Sequence, residues 1–114
     1  MRVVDARTGA PLALAALADT PWTRMVGLLR HARLDPGDGI VLVPCGLVHT
    51  CFMRFAIDLL FVDRKGAVLR AVEAVPPFRL VWGGWRARTT VELPAGTLRR
   101  AGLGAGDAIR LEPA

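Results

Sequence analysis

The pattern of apolar and polar positions predicts a chain built mainly of short β-strands. Apolar residues at alternating or successive positions mark candidate strands at 40–43, 48–55, 57–62, 67–75, 88–93 and 108–112. Residues 57–62 are apolar on both alternating faces, which is typical of a central strand. Asp63–Gly66 between two of these runs is a hairpin signal, because Gly66 can adopt a positive φ. Closely spaced short strands favour a small barrel or a jelly-roll-like sandwich.

Two helices are expected to pack on this β-rich domain. The longer one is predicted over about residues 21–30, with Thr20 as N-cap and Pro21 at the first helical position. Its apolar stripe has offsets of three, four and seven and consists of Trp22, Met25, Val26 and Leu29. A short second helix is predicted over residues 97–101, closed by Gly102.

Residues 77–86 are predicted to form a loop after the strand that Pro76 and Pro77 end. This segment interleaves Trp82 and Trp85 with arginines. One interpretation is a surface that binds a protein or stacks on bases. The other is a long loop whose tryptophans cap one open end of the barrel. The sequence leaves both open.

Length and hydropathy predict one domain over residues 1–114 in the cytoplasm. The chain has 114 residues, of which 53% are hydrophobic, so it can bury a real core. No apolar run approaches the roughly 20 residues that cross a bilayer. The first five residues are not followed by the apolar stretch of a secretory signal, and the run at 12–17 is too short to be one.

The net charge of +5 comes almost entirely from arginine, because Lys65 is the only lysine. Such a charge fits an anionic partner, such as nucleic acid or a phosphorylated ligand. The chain has no run of five basic residues and no recognisable nucleic-acid-binding motif, so we favour arginines scattered over a solvated surface. We therefore expect an unidentified small-molecule or protein partner. Nucleic acid is not expected, although the charge leaves it open.

Several motifs occur in an order that resembles a known family. They are Arg24-x-x-Gly27-Leu28-Leu29-Arg30, Pro44-Cys45, His49-Thr50-x-x-Met53-Arg54-Phe55, Ile57-Asp58-x-x-Phe61-x-Asp63-x-x-Gly66, Glu92-Leu93-Pro94-Ala95-Gly96 and Gly102-x-Gly104-x-Gly106-Asp107. The pattern is similar, over about residues 20–111, to the small prokaryotic family catalogued as domain of unknown function 192. The resemblance implies a compact β-rich barrel or jelly-roll-like sandwich with no assigned activity. Ala56 stands where that family usually has proline, and Cys51 where an aromatic or small residue is usual.

The most informative stretch places polar residues just ahead of a buried strand. Polar groups at the edge of a core cost free energy unless they are paired. Asp58 therefore needs a partner, which Arg54 or Arg24 could supply. We predict a shallow polar pocket beside the tryptophan-rich segment, and hence a non-enzymatic ligand-binding or accessory module. The residues of this pocket are Arg24, His49, Thr50, Arg54 and Asp58, with Trp82 and Trp85. A structural ion pair at Asp58 is the alternative.

Two other functions use the same stretch. A small enzyme could use His49 with Asp58 or Cys45, although no oxyanion hole is evident. A soft-metal site for copper(I) or zinc could use Cys45, His49, Cys51 and Met53, although their spacing matches no paired-cysteine zinc pattern. The segments 92–96 and 102–107 contain turn glycines and a strand end, without the context of a phosphate-binding loop. No cofactor is expected.

Overall fold

A computed structural model describes residues 1–18, 34–50 and 54–113. These residues form nine strands and one short helix. The strands are β1 (Arg2–Asp5), β2 (Pro11–Ala18), β3 (Asp38–Leu42), β4 (Leu47–His49), β5 (Ile57–Val62), β6 (Val68–Val75), β7 (Leu80–Trp82), β8 (Thr89–Pro94) and β9 (Ile109–Glu112), and the helix is α1 (Thr97–Ala101). No helix among these residues is long and apolar enough to cross a membrane.

Seven of the strands form one curled, half-barrel sheet in the order β6-β5-β8-β3-β2-β1-β9. Among the neighbouring strands of this sheet in the described residues, only β2 and β3 pair in parallel, and the other pairs are antiparallel. The curl brings the start of β6 to β9, where Ala67 and Ala108 form an isolated bridge. Strands β4 and β7 pair separately as a two-stranded sheet.

Both faces of the central strands are buried, as their apolar runs predict. One face contributes Val41, Leu60 and Val91 to a cluster that includes Leu98 of α1. The opposite face contributes Ile40, Leu59 and Phe61 to a second cluster, against which β4 packs through Val48. Each cluster removes large aliphatic side chains from water, which is the main source of stability in a domain of this size.

The structure confirms the mainly β prediction, the Asp63–Gly66 hairpin and the short helix before Gly102. Three expectations are corrected. The strand predicted through residue 55 ends at His49, and the predicted loop at 77–86 contains β7. The chain also forms β1 and β2 ahead of residue 20, where no strand was predicted. The helix predicted over residues 21–30 lies outside the described residues, as does Arg24.

Candidate functional site

The two-stranded sheet of β4 and β7 turns one face towards the core and the other towards solvent. The pairs Leu47–Trp82, Val48–Val81 and His49–Leu80 lie opposite each other across it. Because side chains alternate along a strand, the two valines lie on the core side and the other four residues share the outer face. The sequence signal is the shared pattern Leu-Val-His and Leu-Val-Trp, which is too short to stand out in an apolar chain.

The outer face of this sheet is an exposed apolar surface. Leu80 is 71% exposed, Leu47 54% and Trp82 47%, while His49 is half-buried beside them. Trp85 is 92% exposed, and its ring contacts that of Trp82 edge-on, with the ring centroids 5.0 Å apart. We call the surface formed by Leu47, His49, Leu80, Trp82 and Trp85 the aromatic patch. Exposed clusters of this kind mark interaction sites more often than scattered apolar residues do.

Thr50 holds the patch against the main sheet at the end of β4. Its buried hydroxyl donates to the Pro76 carbonyl at 2.7 Å and accepts from the Arg79 N–H at 2.9 Å. The Thr50 N–H also donates to the Arg79 carbonyl at 2.9 Å. All these bonds join Thr50 to other groups of the protein. Thr50 therefore positions the backbone that leads into β7 and presents no polar atom to solvent.

Gly83 sets how closely the end of β7 approaches β5. A Cβ at this position would overlap the ring of Phe61, which only glycine avoids. The Gly83 N–H donates to the Gly46 carbonyl at 2.7 Å, and Arg70 of β6 donates to the Trp82 carbonyl at 2.8 Å. The backbone beneath the two tryptophans is therefore fixed on both sides.

Asp58 is fully buried in β5 and bonds only to backbone groups. Oδ1 accepts from the Ala74 N–H at 2.8 Å, and Oδ2 accepts from the N–H groups of Gly96 and Leu98 at 3.1 and 3.0 Å. Arg54 is exposed in a bend before β5, and no ion pair joins it to Asp58 in the described part of the chain. The carboxylate thus connects β6 to the start of α1.

Cys45 lies between β3 and β4 as a half-buried free thiol. Its S–H donates to the Leu47 carbonyl at 3.4 Å. Within residues 1–18, 34–50 and 54–113, no three His, Cys, Asp or Glu side chains are grouped to hold a metal ion. Cys51 and Met53 lie outside those ranges, so the soft-metal hypothesis stays a prediction.

Of the seven residues predicted to bind a ligand, the structure brings three together: His49, Trp82 and Trp85, in the aromatic patch. Thr50 and Asp58 are enclosed, Arg54 is exposed in a bend, and Arg24 is not described. The sequence did not single out Leu47 and Leu80, because an isolated leucine in so apolar a chain is expected to lie in the hydrophobic core.

Glu92 is a second group that the sequence did not single out. It is 1% exposed in β8, between Ile40 of β3 and Leu59 of β5, and neither carboxyl oxygen has a hydrogen-bond partner in the described structure. Burial among apolar neighbours raises the pKa of Glu92 to about 7. The only hint in the sequence is its place in a strand, Thr-Thr-Val-Glu-Leu-Pro, that proves to be buried on both faces.

The chain belongs to the DUF192 family, described as an uncharacterized ACR, whose model matches residues 3–111. The match reaches further towards the N-terminus than the motifs indicated, because it includes β1 and β2. No match was found among curated proteins.

Two solved structures share the fold. One is a putative transcription regulator from Sinorhizobium meliloti 1021, at 23% identity and a TM-score of 0.77, covering 96% of this chain and 89% of that one. The other is a protein of unknown function from Novosphingobium aromaticivorans DSM 12444, at 18% identity and a TM-score of 0.83, covering 96% and 84%. At these identities the likeness establishes the fold alone.

Proposed function

We propose that this protein is a non-enzymatic binding module and that the aromatic patch binds a ligand presenting flat aromatic groups. The observation that carries the proposal is the exposure of Trp85, 92%, on a backbone held in place by neighbouring strands. A tryptophan that capped the core would bury most of its ring. This one leaves an indole face in water, next to a second indole, where another ring can stack.

Asp58 and Glu92 do not support the alternative of a small enzyme. A general acid or base must reach the substrate's proton, and both carboxyl groups are enclosed by the fold. His49 lies on the aromatic patch, where a half-buried imidazole can contribute a polar contact to a ligand. Its role in the proposal is recognition.

The patch is tested first by the stability of variants. Trp85→Ala is expected to lower the free energy of unfolding by less than about 1 kcal/mol, because the side chain loses little burial. Leu14→Ala, at a residue 60% exposed on β2, is the matched control. Urea denaturation measures both. A loss of about 3–5 kcal/mol for Trp85→Ala would show a core-capping residue and contradict the proposal.

The second test uses indole as a neutral aromatic probe in an NMR titration. Indole is expected to shift the side-chain N–H resonances of Trp82 and Trp85, assigned with the alanine variants. The backbone amides of residues 47–49 and 80–82 should shift with them. Shifts confined to other surfaces, or no shifts at all, would contradict the proposal.

A further inference from the structure

A shallow basic groove adjoins the aromatic patch. It has a volume of about 460 Å³, and Trp85 forms part of its wall. Four cationic residues line it, Arg64, Lys65, Arg86 and Arg88, together with Pro44, Ala87 and Asp63. We call this depression the basic groove. A second depression, of about 520 Å³, is also lined by the Asp63–Gly66 hairpin and Arg88. It continues towards Arg110 and Glu112.

Two tight turns present the main groups of the groove. The Gly66 N–H donates to the Asp63 carbonyl, so Arg64 and Lys65 are the central residues of one turn. The Ala87 N–H donates to the Gly84 carbonyl, so Trp85 and Arg86 are the central residues of the other. Turns closed in this way hold their central side chains outward. The cations and the indole are therefore displayed side by side before any ligand binds.

The Asp63 carboxylate is engaged within its own turn. Its Oδ1 accepts from the N–H groups of Lys65 at 2.9 Å and Ala67 at 3.0 Å. The hydrogen bond from Ala67, followed by that from Lys65, lowers the pKa of Asp63, so it is ionised at neutral pH. In the second depression, Glu112 pairs with Arg110 and Arg2.

The four cations of the basic groove keep their charge available. All four are exposed, and none forms an ion pair with a carboxylate in the part of the chain that the structure describes. Against them the groove holds one carboxylate, Asp63, so its lining is strongly positive. A phosphate would compete with Asp63 for the charges of Arg86 and Lys65, but it would have no direct ion pair to break among the described residues.

We propose that the ligand is a single-stranded nucleic acid, whose phosphates lie in the basic groove while a base stacks on Trp85. This inference rests on the proposed function, since Trp85 belongs to the aromatic patch. The combination of a cationic groove and an exposed aromatic ring is the arrangement that binds single strands, because every base has a flat face and every nucleotide a phosphate. A duplex keeps its bases stacked on each other and offers Trp85 none.

The test is fluorescence anisotropy with a labelled 12-nucleotide thymidine strand at low salt. Binding is expected to be at least tenfold tighter than for a 12-base-pair duplex or for poly-glutamate. Trp85→Ala should weaken it about tenfold, the value of a lost base stack. Equal binding of poly-glutamate or duplex would show a general attraction for polyanions and overturn the inference.

Salt dependence tests the groove separately. The logarithm of the binding constant should fall with the logarithm of salt concentration, with a slope of about −3 for four phosphate contacts. Arg64→Ala with Lys65→Ala should reduce the slope to about −1.5. The control, Arg99→Ala with Arg100→Ala, removes the same charge from exposed positions on α1 and should leave a slope near −3. If the two double variants changed the salt slope equally, the phosphates would not bind specifically in the basic groove and the inference would be overturned.

The indole titration separates failure of this inference from failure of the proposed function. If indole shifts Trp82 and Trp85 but the thymidine strand does not bind, the aromatic patch stands and the nucleic-acid ligand is wrong. If neither binds, both are wrong. Binding to phosphatidylglycerol vesicles without binding to the strand would assign the groove to a lipid surface and overturn the inference.

Discussion

At the residue scale, burial decides what the acidic side chains of this chain do. Asp58 and Glu92 both lie in central strands, yet only Asp58 has hydrogen-bond donors in reach. On burial, the carboxylate of Asp58 exchanges its hydrogen bonds with water for hydrogen bonds from three backbone N–H groups. Glu92 has only apolar neighbours across the sheet, so its neutral form is favoured and its pKa rises to about 7.

The raised pKa of Glu92 makes stability depend on pH. In the unfolded chain Glu92 loses its proton near 4.5, whereas in the folded chain it keeps the proton up to about 7. The unfolded state therefore releases the proton first, and the contribution of Glu92 to stability, complete below pH 4.5, is lost as pH rises through 7. The shift corresponds to about 3 kcal/mol.

Glu92→Gln removes this titration and keeps the side-chain shape. The free energy of unfolding of the variant minus that of the wild type should rise by about 3 kcal/mol between pH 4.5 and pH 8. Urea denaturation at several pH values measures the difference, in which other titrating groups cancel. A difference that stays constant with pH would mean that Glu92 is ionised in the folded protein.

At the element scale, the aromatic patch depends on two short strands, β4 and β7. Strand β4 has three residues and β7 three, so neither would be stable alone. They hold their place through Thr50, Gly83 and the Arg70 hydrogen bond to Trp82, all of which lie at their ends. Strand β5 is fixed to its surroundings in another way, through the Asp58 carboxylate.

Asp58→Asn tests whether this residue serves the fold. Its amide can accept on one side only, and its NH₂ would face N–H groups that need an acceptor. We expect the free energy of unfolding to fall by about 3 kcal/mol or more, since each unsatisfied buried group costs about 1–3 kcal/mol. Arg54→Ala, at an exposed residue, is expected to change it by less than about 0.5 kcal/mol. Urea denaturation decides. If Asn is tolerated, the three backbone hydrogen bonds contribute little and the structural role of Asp58 is wrong. If Arg54→Ala destabilises the protein as much as Asp58→Asn does, the ion pair predicted from sequence would be correct.

Long apolar runs and turn glycines predicted β3, β5, β6, β8, β9, the hairpin at Gly66 and the helix α1. The pattern failed where partners distant in sequence decide the structure. Strand β4 ends at His49, and Thr50 is held by hydrogen bonds to Arg79, a partner distant in sequence that no local pattern encodes. Strand β7 lies among prolines, glycines and arginines that predict a loop, and it forms because β4 is available as its partner.

The candidate site was predictable in part for the same reason. The tryptophans and His49 were identifiable from residue type, but their common face follows from a pairing register that only the structure supplies. The partner of Asp58 was expected to be an arginine, because side-chain charges are visible in a sequence. The donors to Asp58 are instead the backbone N–H groups of Ala74, Gly96 and Leu98, which cannot be identified from residue type.

At the scale of the whole molecule, the fold brings together basic residues that are distant in sequence. Arg64 and Lys65 are adjacent in sequence, while Arg86 and Arg88 follow about twenty residues later. This separation is why no basic run appeared. The hairpin after β5 and the turn before β8 bring the two pairs to one depression, next to the only fully displayed indole in the described structure. Four of the fifteen basic residues, separated along the chain, thus line one depression.

Binding of a single strand across the aromatic patch and the basic groove is tested most directly by an NMR titration of the isotope-labelled protein with the 12-nucleotide thymidine strand. We expect the shifted backbone amides to lie in residues 47–49, 63–66 and 80–88, which form the aromatic patch and the basic groove. Amides of α1 should stay in place. Shifts centred on α1, or an unchanged spectrum at concentrations that saturate a micromolar site, would contradict it.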